Sequence, residues 1–245
     1  MSILHNPQAL LFDVDGTLAD TEGQGHLPAF NKTFAAHNLP WRWSKDEYRR
    51  LLTAVPGGRE RILEQLKRTP PPEHCNQTLA EYAQQLHREK GHHYTDILRS
   101  GAIKPRPGVT RLIEEAYSSG TTLAIVTTSA RESVEALFEY VLPAKQRHYF
   151  SLLICGEDVS AKKPDPEAYQ LAVERLCLPP DNCLALEDSV NGLAAANKAG
   201  IPTLITYNEW TKDDDFSDAW RVVESLDNRG DGEPVTLAWL TDAHT

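Results

Sequence analysis

Five short apolar runs, four of them closing on a polar cluster, constrain this chain more than any other feature. They are ALLF (9–12), TLAIVT (122–127), SLLIC (151–155), CLALE (183–187) and PTLIT (202–206). Stretches near 109–119, 130–142, 166–177 and 190–199 carry apolar residues at helical spacing between them. Continuous apolar strands suit a parallel sheet covered on both faces, and each parallel strand needs a crossover helix to return the chain. The expected fold class is α/β, with a doubly wound, mostly parallel sheet at its core.

The first two runs stand far apart, and residues 21–103 between them contain no strand pattern. They do contain amphipathic helix patterns such as LAEYAQQLHREKGHHYTDIL (79–98). One crossover helix needs far fewer residues, so the expectation is a core domain of 1–20 and 104–245 with a helical cap domain, 21–103, inserted into it. The segment after Gly16 and the exit KPRPGV (104–109) read as hinges. The last thirty residues, weakly patterned, read as a surface-packed tail.

Composition removes several function classes. Of 245 residues 40% are hydrophobic, enough for one core and a smaller satellite. Lys and Arg total 25 against 35 Asp and Glu, a net charge of −10, so nucleic acid and anionic membranes are not expected partners. An anionic substrate must meet local positive groups. Cys75, Cys155, Cys177 and Cys183 form no C-x-x-C pair, and the N-terminus lacks the build of a signal peptide. No apolar run approaches the roughly 18 residues of a membrane span. The expectation is a cytoplasmic monomer with reduced thiols.

The polar clusters carry the chemistry. Residues two apart on a strand share a side, so Asp13 and Asp15 are expected to project together at the carboxyl end of the first strand, where open α/β sheets bind ligands. Uncompensated they repel, and a divalent cation removes the difficulty; hard oxygen donors suit Mg2+. A calcium loop also opens D-x-D-G, but its sixth position here would be Leu18 rather than Gly and its twelfth Gln24 rather than Glu. At the second strand end, Thr127 offers a hydroxyl, and Thr128 and Ser129 lead into a helix start whose N–H groups suit an anion. Ser129 with Glu132 also matches a capping box, the weightier reading of that serine. The third end presents Lys162 and Lys163 before Asp165-Pro166, a helix start. The fourth presents Glu187 and Asp188; Asp188 or Ser189 could instead cap the next helix, but beside the first acidic pair metal ligation explains them better.

D-x-D-G-T at 13–17, the hydroxyl of Thr127, the lysine of KKP at 163 and EDS at 187–189 resemble, in order, the four motifs of the haloacid dehalogenase-like superfamily. The resemblance implies that Asp13 is a nucleophile forming an aspartyl-phosphate and Asp15 the general acid and base. It also implies a phosphate clamp of Thr127 and Lys163, and Mg2+ held by Asp13, Asp15, Glu187 and Asp188. Independently, an alkoxide leaving group needs a proton donor and a halide does not, so Asp15 favours a phosphatase over a dehalogenase.

DVDGTLADTEGQGHLPAFN, WRWSKDEYRRLL and GGRERI look like the CbbY-type subfamily, whose characterised members are sugar bisphosphate phosphatases, xylulose 1,5-bisphosphate being the named substrate. A β-phosphoglucomutase-like mutase is the near alternative. A phosphorylatable receiver module is the remote one, although it would need no cap. The resemblance places Glu22, Gly57, Gly58, Arg59, Glu60, His87, Arg88 and Lys90 toward a sugar phosphate. Free N–H groups after Gly57 and Gly58 and the fork of Arg59 would suit a phosphate, while an ordinary turn with solvated arginines is an equal reading. His87, Lys90 and Tyr94 share one helical stripe, for which a solvated charged face is the usual explanation. His26 lies one residue farther from Glu22 than the subfamily pattern expects, so it receives no catalytic role. Trp41 and Trp43 are read as cap core or rim.

Overall fold

The computed structural model describes residues 7–70 and 77–241. Its sheet contains six parallel strands: β1 (Ala9–Phe12), β2 (Thr122–Val126), β3 (Phe150–Ile154), β4 (Cys183–Glu187), β5 (Thr203–Thr206) and β6 (Arg221–Val223). Their order is β3-β2-β1-β4-β5-β6. The chain thus winds outward both ways from β1, and the switch point where ligands bind in such sheets lies at its carboxyl end. Every residue of β1 and β4 is buried, which accounts for their unbroken apolar character.

The tail expectation needs correction, because Arg221–Val223 extends the sheet and Leu237–Thr241 is helical. Only Val223 of that edge strand is buried, and three residues with one inward side chain leave no legible apolar run. Phe216 and Ala219 ahead of it pack against Leu193 and Ile205.

The chain divides into two compact units, Met1–Asp20 with Lys104–Thr245, and Thr21–Ile103. In the second, a π-turn (Glu22–His26) runs into α1 (Leu27–Ala36), followed by α2 (Lys45–Ala54), α3 (Gly58–Arg68) and α4 (Leu79–Arg99). The Leu27 N–H donates to the Glu22 carbonyl, the i to i+5 bond of a π-turn. The residue that is extra in the Glu22 to His26 spacing is absorbed there, just before Pro28, which has no N–H to continue a helical ladder. Ser44 caps α2, and Thr78 forms a capping box with Glu81 at the start of α4. The aromatic core of this unit includes Phe30, Phe34, Trp41, Trp43 and Tyr48. Asn31 and the Trp43 backbone exchange two hydrogen bonds of 2.9 Å, fixing the loop between α1 and α2.

Four helices cover the sheet: α5 (Val109–Ser118), α6 (Arg131–Tyr140), α7 (Glu167–Leu176) and α8 (Val190–Lys198). On one face Leu11, Ala124 and Ile154 meet Ala168 and Ala172 of α7 and Ala195 and Ala196 of α8. Alternate residues face the other way: Phe12 lies edge-on to Phe150, which also meets Phe138 of α6. The short helix α9 (Leu237–Thr241) buries Leu240. Between β1 and α5 the chain returns beside itself, the Arg106 N–H donating to the Leu18 carbonyl at 2.9 Å and Ala19 bridging Pro105.

Among the described residues no helix is long and apolar enough to cross a membrane. Cys155, Cys177 and Cys183 are free thiols; Cys75 lies outside the described residues.

Candidate active site

Asp13 follows β1 directly, its N–H continuing the ladder to the Leu186 carbonyl at 3.0 Å. Lys163, 4% exposed, reaches it from the loop after β3. The Lys163 ammonium donates to Asp13 Oδ1 (2.8 Å), the Val126 carbonyl (2.6 Å) and Glu187 Oε1 (2.5 Å), using all three protons. Glu187, the last residue of β4, also accepts from the Tyr169 hydroxyl at 2.7 Å. Asp13, Glu187 and Asp188 are all buried and offer oxygens within 4.8 Å of one another. Among the described residues, Glu187 Oε2 is buried without a hydrogen-bond partner. Three carboxylates with an orphaned oxygen form a donor set that fits a hard divalent cation.

Three buried carboxyl groups share one ammonium, and burial without a cation favours the protonated form of two of them. Burial raises the Asp13 carboxyl from 3.8 to about 8, against the attraction of Lys163. Asp188 is likewise held well above the usual carboxylate range, by burial first and then by Asp13 and Glu187. Burial alone would depress the Lys163 ammonium, but Asp13 and Glu187 outweigh it and hold the group above its ordinary value. A lysine so placed stays charged throughout the working range.

Asp15 lies beyond the strand, so strand alternation is not what places it, yet its carboxylate stays near enough to Asp13 for its charge to raise the Asp13 carboxyl. The strand ends at Phe12, and the turn that follows sends the Asp15 carboxylate to the Ser129 hydroxyl. That contact also overturns the capping box at Ser129, since α6 takes Ala130 as its N-cap and no side chain caps it. The Ser129 hydroxyl instead donates to the Asp15 carboxylate, a charge-assisted bond, and accepts from no N–H of α6. Thr127 is buried at the end of β2, its Oγ1 accepting from the Ser129 N–H at 3.1 Å, with Thr128 between them. Asp188 is not a cap, because Ser189 caps α8 by accepting from the Gly192 N–H at 3.1 Å.

Two further residues went unsuggested. Arg106, nearly buried in the segment KPRPG, donates to the carbonyls of Gly16 (2.5 Å), Thr206 (2.7 Å) and Tyr207 (2.5 Å). Asn208 after β5 donates to Asp188 Oδ2 at 2.6 Å. Prolines and glycine marked the first segment as a hinge, but nothing local distinguishes a guanidinium that binds distant carbonyls from a solvated one. Gly16 has φ +84, and a Cβ there would overlap the Asp188 carboxylate, so both conformation and space require glycine.

In the helical unit, Lys90 is buried rather than part of a solvated face. Its ammonium lies 2.5 Å from His26 Nδ1 and over the rings of Phe30 (4.9 Å) and Tyr94 (4.8 Å). His26 stacks on Tyr94 at 4.2 Å, so the π-turn delivers a residue that spacing left without a role. Glu22 accepts from the Tyr48 hydroxyl at 2.6 Å. Gly57, at φ +92, precedes α3 without a side-chain cap. A Cβ at Gly58 would come within 2.8 Å of His87 Nε2, so these two candidates adjoin. Arg59 is exposed and pairs with Glu60 at 2.7 Å, and Arg88 is exposed.

A doubly wound sheet with a lysine-bridged carboxylate cluster at its switch point defines a hydrolase class, and the sequence comparison agrees. Residues 7–200 match the model of the haloacid dehalogenase-like hydrolases, and the chain belongs to that family. It is 44% identical over 219 residues to Protein CbbY of Rhodobacter capsulatus, covering 88% of this chain and 92% of that protein. It is 32% identical over 197 residues to the phosphorylated carbohydrates phosphatase of Thermotoga maritima, covering 79% and 82%. A crystal structure of a CbbY mutant from Rhodobacter sphaeroides in complex with xylulose-(1,5)bisphosphate is similar with a TM-score of 0.80 and 40% identity, covering 89% of this chain and 94% of that one. The protein is a phosphatase of this family.

Proposed function

We propose that this phosphatase hydrolyses a sugar bisphosphate, such as xylulose 1,5-bisphosphate, through an aspartyl-phosphate on Asp13. The observation that carries the reading is the buried lysine joining Asp13 to Glu187 beside Asp188. Similarity to CbbY proteins supports the substrate class. The Asp13 carboxylate forms a bond to phosphorus while the bond to the sugar oxygen breaks, and Asp15 gives that oxygen its proton. Water then attacks the same phosphorus, Asp15 takes its proton, and the bond to Asp13 breaks to release phosphate. The Thr127–Ser129 turn holds the phosphoryl oxygens, and Lys163, whose protons go to Asp13, Glu187 and the Val126 carbonyl, attracts them by its charge. The Asp13, Glu187 and Asp188 carboxylates, with Asp15 beside them, would hold Mg2+, which when bound would offset the repulsion between carboxylate and phosphate.

Replacing Asp15 by Asn keeps its backbone carbonyl and removes the proton donor. Turnover is expected to fall by roughly 10²–10⁴ while Mg2+ affinity, read by calorimetry, changes little. An unchanged rate would remove Asp15 from proton transfer.

A second phosphate needs cationic partners in a protein of net charge −10, and the helical unit offers Arg59, His87, Arg88 and Lys90. Arg59→Ala and Lys90→Met, the latter preserving buried volume, should raise KM for a sugar bisphosphate several-fold and leave hydrolysis of a small generic phosphate monoester nearly unchanged. Equal losses on both substrates would reassign them to folding.

Phosphate release from a panel of sugar mono- and bisphosphates with Mg2+ tests the reading itself, and a bisphosphate should show the highest kcat/KM. An isomeric sugar phosphate as product with little free phosphate would replace hydrolase by mutase. A phosphoryl group persisting on Asp13 for many minutes would point to a receiver module.

A further inference from the structure

We infer that Asn208 is a positioning residue: its side-chain amide fixes the rotamer of Asp188 and ties that carboxylate to the D-x-D-G-T loop, so it sets the affinity of the acidic cluster for a divalent cation.

The amide is anchored on every side. Its Oδ1 accepts from the Trp210 N–H at 2.8 Å, closing a local turn. With the oxygen held there, the NH2 group must face the other way. One of its protons goes to Asp188 Oδ2 at 2.6 Å and the other to the Gly16 carbonyl at 3.3 Å. The backbone of Asn208 is fixed as well, its N–H donating to Thr211 Oγ1 (3.2 Å) and its carbonyl accepting from Lys212 (2.9 Å). The Gly16 carbonyl receives a second donor, Arg106, at 2.5 Å. Two loops distant in sequence are thereby pinned to one carbonyl, and Asp188 is pinned to them.

Asp188 has reason to need such a hold. It shares a buried space with Asp13 and Glu187, and Lys163 bonds to both of those but not to it. Repulsion would turn an unrestrained Asp188 away from the others. A neutral amide restrains it without adding a carboxylate to the cluster or a cation that competes with the metal. Outer hydrogen bonds of this kind set metal affinity by orienting the ligand.

The inference rests on the proposed metal site, and the test separates the two. In Asn208→Ser the hydroxyl can still accept from the Trp210 N–H but is too short to reach Asp188; Asn208→Leu removes both bonds. Mg2+ binding to each full-length protein is measured by calorimetry without substrate, alongside the melting temperature in chelator. Asn208→Ser is expected to weaken Mg2+ binding by about 10–100-fold with a nearly unchanged melting temperature in chelator, and excess Mg2+ should restore most of kcat. Mg2+ binding equal to wild type in both variants overturns the role of Asn208 alone. Absence of Mg2+ binding in the wild type overturns the metal site and the inference together. Loss of kcat that excess Mg2+ does not restore, with affinity intact, overturns the inference in favour of a role in chemistry.

Discussion

Lys163→Met is expected to inactivate the protein and to destabilise the sheet unit by about 3–5 kcal/mol, the usual effect of removing one partner from a buried ionic group. The methionine fills the stem's volume, so the loss isolates charge. Asp13, Glu187 and Asp188 would share a buried space with no ammonium among them, and the Val126 carbonyl would lose its donor. In a protein of this size that loss corresponds to a fall of roughly 10 °C in melting temperature. Millimolar Mg2+ should recover part of the stability, because a cation restores the missing counter-charge. A variant melting within a degree or two of wild type in chelator would mean that the cluster is largely protonated and that Lys163 balances little charge.

Asp13→Asn is expected to remove turnover by at least about 10⁴-fold, as loss of a nucleophile does elsewhere. Stability should move the other way. Burial raises the Asp13 carboxyl from 3.8 to about 8. The folded chain therefore holds a proton that the unfolded chain releases, and the metal-free protein loses stability as pH rises from about 4 through 8. Asparagine has no such titration. Melting curves in chelator should show Asp13→Asn gaining on wild type between pH 5 and pH 8, with the difference closing at lower pH. Parallel curves across that range would show that Asp13 is charged in the folded protein at all of them. Appreciable phosphate release by the variant would remove Asp13 as the nucleophile.

The parts of the site that were legible lie where a strand run ends on polar residues. ALLF before Asp13 and CLALE closing on Glu187 could be placed because parallel strands carry unbroken apolar runs and ligands gather at their carboxyl ends. What escaped has no local pattern. Asn208 follows TLIT as any turn residue might, and its use depends on Asp188, twenty residues earlier. Ser129 fitted a capping box by spacing, and only the approach of Asp15 from another loop redirects its hydroxyl. Lys90 looked like a solvated charge because periodicity gives the face of a helix and not what covers it. The side chains of His26, Phe30 and Tyr94 cover it.

By itself the order of residues determined the doubly wound sheet and the strand ends at which Asp13, Lys163, Glu187 and Asp188 stand, because alternation of apolar runs and helices admits few topologies. Only the tertiary structure decided how charge is shared among them: which carboxylates the ammonium of Lys163 bridges, that Asp15 turns to Ser129, and that Asn208 and Arg106 lock Asp188 and the Gly16 carbonyl. The reason is physical. Strand formation follows from local periodicity and burial, whereas hydrogen bonds between side chains on separate loops depend on distances that exist only once the sheet has brought those loops together.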